Sequence, residues 1–166
     1  MNPGPPETST ASQQLLEIEV PIVWDYVRHV RHQVETALLH LPEEQRSATV
    51  MVASELLENA IKYGSAVPAL ARTRFTLEYT PQQIVVRVEN GLSDRRVFDV
   101  VSNLLEQMKD EKVCEQLYLS RIQELIDNPF QSNRLGLYRI GYEGKFSLTC
   151  TCENDILTMT ARRALP

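Results

Sequence analysis

The sequence predicts an α+β fold: a two-layer α/β sandwich with helices over one face of a mixed, mostly antiparallel sheet. Three observations carry that expectation. Val23, Val27, Val30, Val34, Leu38 and Leu41 recur at steps of three and four residues, the stripe of a helix lying on a core. Phe75, Leu77 and Tyr79, then Ile84, Val86 and Val88, alternate as half-buried strands do. The order along the chain is helix, helix, hairpin, helices, hairpin, which places helices against an antiparallel sheet.

The elements follow in order. Residues 1–13 are Pro, Ser, Thr, Gln and Gly with little that is apolar, and read as a disordered tail. A single domain is expected over 14–166. Leu16, Ile18 and Val20 alternate, a short edge strand. Pro21 opens the first long helix, where a residue without an amide proton is tolerated. Pro42 opens the second, with Glu43 and Glu44 at its positive end. That helix runs to Tyr63, and Gly64 suits a left-handed cap. Pro81-Gln82-Gln83 turns between two strands, and Asn90-Gly91 ends the second. Two helices fit 94–127, stopped by Asn128-Pro129. A loop and short helix fit Arg134 to Gly141. Strands over 146–152 and 156–162 form a hairpin around Glu153-Asn154-Asp155.

Composition narrows the function classes. The 166 residues include 17 Lys+Arg and 22 Asp+Glu, a net charge of −5. An acidic chain lacks the basic face that phosphate neutralisation needs, so no nucleic-acid partner is expected. No apolar run approaches the ~20 residues that span a bilayer, and Met1 to Thr10 lacks the features of a secretory signal. The three cysteines have no metal spacing, and Cys150 and Cys152 share one face of a strand as packing residues. A reduced, cytoplasmic, soluble protein is expected. No Walker loop or His-x-x-x-His pair is present. His29 and His32 read as solvated helix residues or, with Arg28 and Arg31, as a partner-binding face.

The chemistry concentrates in Ser54-Glu55-Leu56-Leu57-Glu58-Asn59-Ala60-Ile61-Lys62-Tyr63-Gly64. On a helix, Glu55, Glu58, Asn59 and Lys62 fall within an arc of about 100°. The amide oxygen of Asn59 suits a hard cation such as magnesium. The Glu55 carboxylate, one turn earlier, can take a proton, and the Lys62 ammonium can meet a phosphate oxygen. The plain alternative is a solvated ridge with Glu58 and Lys62 paired at i,i+4.

Glu55-Leu-Leu-x-Asn59-Ala-x-Lys62-Tyr-Gly64 resembles the N-box of the GHKL ATPases. That superfamily includes histidine-kinase catalytic domains, DNA gyrase, a heat-shock chaperone family and the anti-sigma-factor serine kinases. The resemblance covers most of 16–163 and implies a Bergerat-type ATP-binding fold. It implies ATP and magnesium as ligands, Glu55 as general base or water-positioner, Asn59 as magnesium ligand and Lys62 near the phosphates. Glu89-Asn90-Gly91 stands where the family has Asp-x-Gly, so Glu89 would hold adenine and Gly91 would let the nucleotide approach. Ser93 replaces that box's second glycine. In the family's next box Gly136 matches and Arg134 replaces the first glycine. Residues 94–133 would include the ATP lid. Single-domain size and acidic charge look most like the bacterial anti-sigma-factor, partner-switching branch. Its members phosphorylate Ser or Thr on a small antagonist domain and often form homodimers. The departures at Glu89, Ser93 and Arg134 leave a second expectation: the same fold as a non-catalytic interaction module.

Overall fold

A computed structural model describes residues 13–127 and 135–166. The chain folds as a two-layer α+β sandwich. The strands are β1 (Gln13–Val20), β2 (Thr73–Thr80), β3 (Gln83–Gly91), β4 (Ser147–Glu153) and β5 (Ile156–Ala164). They form one sheet in the order β1-β2-β3-β5-β4, and every pairing in it is antiparallel. The helices are α1 (Trp24–Ala37), α2 (Glu43–Tyr63), α3 (Arg95–Gln107), α4 (Glu111–Asp127) and α5 (Gly136–Tyr142).

Register explains why one face is the core. Phe75 stands opposite Val88, and Leu77 opposite Val86. Val88 stands opposite Met159, Val86 opposite Ala161, and Ala161 opposite Leu148. Side chains alternate along a strand, so these residues all point to one side of the sheet. They meet Val30, Val34 and Leu38 and the α2 residues Val52, Leu56, Leu57 and Ala60 in one buried cluster. The opposite face carries Arg74, Thr76, Glu78, Arg87 and Glu89, tied by ion pairs Arg74–Glu89 at 3.1 Å and Arg87–Glu78 at 3.2 Å.

β1 is an edge strand, as its alternation implies. The tail expected over 1–13 lies outside the described residues, except that Gln13 already belongs to β1. α1 starts at Trp24 rather than Pro21. The Val23 amide bonds to the Pro21 carbonyl at 2.7 Å in a turn, and Val23 remains extended at φ −140°. α2 begins after Pro42 with Glu43 and Glu44 in its first turn. Its buried Thr49 and Ser54 hydroxyls donate to the Gln45 and Val50 carbonyls at 2.7 and 2.9 Å, so neither is left unpaired.

Gly64 ends α2 with φ −77° and ψ 162°, extended and not left-handed as expected. Its glycine has another cause: a Cβ there would fall 2.3 Å from the Ala60 carbonyl oxygen and 3.0 Å from Asn90 Nδ2. The β4–β5 turn does use left-handed backbone, at Asn154 (φ 50°) and Asp155 (φ 59°), residues that tolerate it in tight hairpins. The cysteines are free; Cys114 is buried, and Cys150 and Cys152 pack on the core side of β4. Among the described residues no helix is long and apolar enough to cross a membrane.

Phe75 is fully buried where α1, α2 and the sheet meet. Phe75→Ala should cost about 3–5 kcal/mol in urea unfolding, whereas Thr151→Ala on the exposed face of β4 should stay within about 0.5 kcal/mol.

Candidate functional site

α2 presents its polar ridge as the spacing implies. Its apolar side is fixed on the sheet by Leu56, Leu57, Ala60 and Ile61, leaving Glu55, Glu58, Asn59 and Lys62 on the other side. The four are not equivalent. Glu58 and Lys62 are exposed, Asn59 is half-buried, and the Glu55 side chain keeps only 18% of its surface. The Lys62 ammonium lies 5.1 Å over the Tyr63 ring. Among the described residues no Glu58–Lys62 ion pair forms.

Glu55 is covered by α5. Arg139 Nη1 donates to Glu55 Oε1 at 2.8 Å across 84 residues of sequence. Gly136, in the first turn of α5, lies against the same carboxylate: a Cβ at 136 would fall 2.3 Å from Glu55 Oε2. A side chain there would push the carboxylate away. Glu55 of α2 and Gly136 of α5 are therefore brought together from distant parts of the chain. Arg134 lies outside the described residues.

Glu55 and Arg139 border a cleft of about 370 Å³ whose lining includes Glu58, Ser54, Arg46 and Arg31. Burial pushes the Glu55 carboxyl above the ordinary carboxylate range. The Arg139 guanidinium opposes that rise, while the neighbouring Glu58 and Glu143 charges add to it. A carboxylate raised in this way, beside a cleft, can act as a proton acceptor, and guanidinium groups suit phosphate or carboxylate ligands. A second cleft, of about 380 Å³, shares no residue with the first; Leu105, Met108, Cys114, Phe146 and Leu148 give it an apolar lining.

Glu89 does not join Glu55. Val86 and Val88 face the helices, so Glu89 must face the other way. It sits on the open face of the sheet, paired to Arg74. Asn90 is a polar β3 residue on the helix side. It is buried, and its Nδ2 donates to the Gly91 carbonyl at 3.0 Å. Gly91 is required by protein and not by an open approach: a Cβ there would fall 2.1 Å from the Ser65 carbonyl oxygen, and the Ser65 amide bonds to the Gly91 carbonyl at 2.9 Å. The 64–67 loop occupies that approach.

Sequence reasoning overlooked Arg139. A signal existed, since Gly136, Arg139 and Glu143 recur at three- and four-residue spacing around the buried Ile140. The chain matches no family model, and no curated protein is significantly similar to it.

The raised Glu55 value has a pH consequence. The folded state holds this proton to higher pH than the unfolded chain, so stability is lost as pH rises from the ordinary carboxylate range through the raised value. Glu55→Gln removes that loss. Its melting temperature relative to wild type should therefore be higher at neutral pH than at about pH 4. Thermal melts across pH check this, and a difference that stays flat would contradict it.

Proposed function

We propose that the chain is an ATP-binding protein of the GHKL type. It acts as a serine/threonine protein kinase in an anti-sigma-factor or partner-switching pathway of a bacterial cytoplasm. Its protein partners are a small antagonist domain, which carries the acceptor hydroxyl, and a second copy of the chain. The observation that carries this reading is the meeting of Glu55 with Gly136. The half-buried acid on α2 lies against backbone that has no side chain to block it, beside a cleft with guanidinium groups.

The residues fit magnesium-bound ATP at the phosphate end. Asn59, one turn after Glu55 and half-buried, would hold magnesium through its amide oxygen. Among the described residues no cluster of three or more His, Cys, Asp or Glu could bind a metal by itself, so the ion would arrive with the phosphates. Magnesium-ATP supplies the phosphoryl group and the charge that eases its transfer. Glu55 accepts the acceptor hydroxyl's proton on its carboxylate. Arg139 holds that carboxylate, the exposed Lys62 adds positive charge nearby, and Gly136 leaves room for the carboxylate against α5. At the adenine end Glu89 does not fit, because it faces away from α2. Asn90 is the polar group that β3 offers on that side.

A specific observation favours the second reading, a docking module without nucleotide. Ser65 backbone fills the approach to Gly91 that a nucleotide would use. The two readings separate on thermal melting with magnesium-ATP. A ligand at 100 times its dissociation constant adds about 2.7 kcal/mol, and each kcal/mol shifts the midpoint by about 2–4 °C in a chain of this size. The kinase reading predicts that shift, with its magnesium-dependent part lost in Asn59→Ala. No shift at millimolar nucleotide leaves the docking module.

A further inference from the structure

We propose that Arg139 is the positioning residue of the site: from α5 it holds the Glu55 carboxylate, and Tyr118 of α4 sets Arg139 through Glu143. This rests on the reading of Glu55 as the proton acceptor. The chain of contacts is continuous. Arg139 gives Nη1 to Glu55 at 2.8 Å and turns Nε towards Glu143 at 3.4 Å. The Tyr118 hydroxyl donates to the Glu143 carboxylate. The Tyr118 ring stacks on Tyr142, with centroids 4.8 Å apart, and the Tyr142 hydroxyl donates to Glu115 at 3.1 Å. Two tyrosines, one from each helix, thus tie α4 to α5 on either side of one stacked pair. The buried Ile140 anchors α5 to the core, so its guanidinium reaches α2 from a fixed base.

Several charges surround Glu55: Glu58 and Arg46 from α2, Arg31 and Glu35 from α1, Arg139 from α5 and Glu143 just past its end. Arg139 is the cation in direct contact with it. Without it, burial, Glu58 and Glu143 all favour the protonated acid, which cannot accept a proton. The carboxylate would also lose the partner that fixes Oε1. A cation at this place does two things for a general base: it favours the ionised form and it holds it in one orientation. Tyr118 keeps its proton and stays a donor, because its bond to Glu143 pushes the phenol above its ordinary range. A movement of α4 would be felt at Glu55 through this chain.

The test is carbon NMR of the glutamate carboxyls across pH, with Glu55 assigned by its loss in Glu55→Gln, alongside turnover of magnesium-ATP to ADP. Arg139→Gln should raise the Glu55 midpoint by about one pH unit or more. It should lower kcat near neutral pH with KM for ATP unchanged, and move the acidic limb of the pH profile upward by the same amount. Arg139→Lys should restore part of both. Tyr118→Phe, which keeps the ring stack, should shift both in the direction of Arg139→Gln by less. An unchanged midpoint in an enzyme that turns over ATP overturns the inference alone, as does a loss confined to KM. A wild-type chain with no turnover overturns Glu55 as a base, and the inference falls with it whatever the midpoints do.

Discussion

The ion pair between Glu55 and Arg139 joins the two halves of this molecule beside a cleft. Glu55 belongs to α2, in the first half of the chain, and Arg139 to α5, in the second. A carboxylate with most of its surface removed from water needs compensation, and here a guanidinium provides it. That pairing is possible only if α5 docks correctly. Ile140 sets α5 on the core, and the stacked Tyr118 and Tyr142 set it against α4. The site is therefore not a property of the α2 ridge alone. Its acid is defined by residues that arrive from far along the chain.

The sheet imposes the second constraint. A strand can show only every other side chain to the helices. Once Val86 and Val88 are committed to the core, Asn90 must face α2 and Glu89 must face away. The same logic gives the open face its ladder of Arg74, Glu89, Arg87 and Glu78 ion pairs. At the end of β3 the chain packs on itself so closely that Gly64 and Gly91 are both needed for backbone clearance. The clearance at Gly91 is taken up by the backbone of Ser65 and the side chain of Val67.

Most of the fold was legible in the sequence because its signals are local. The Val27–Val34 part of the first stripe, the Phe75–Tyr79 and Ile84–Val88 alternations and the Asn154-Asp155 turn depend on near neighbours and form where their patterns lie, whereas Val23 stays extended and exposed and Leu38 and Leu41 are buried past the end of α1. Ends were less legible. α1 starts after Pro21 because a Val23–Pro21 turn competes with helix, and Gly64 answers to a clash with Ala60 and not to a left-handed cap. The site was half legible. The α2 ridge follows from helix period alone. Glu89 was misplaced by counting back from Gly91, although the Val86–Val88 alternation already assigned it to the other face. Arg139 was invisible as a partner because no local rule links it to a glutamate 84 residues earlier.

The proposed function puts a metal-bound nucleotide on the α2 ridge beside Gly136. Titrating magnesium-ATP into the labelled protein while following the Asn59 side-chain amide and the Gly136 backbone amide by NMR tests it most directly. With a nucleotide on that ridge both resonances move together and saturate, and the Asn59 movement requires magnesium. Resonances that stay still at millimolar nucleotide, or that move only at the apolar cleft of Leu105, Cys114 and Phe146, would contradict it.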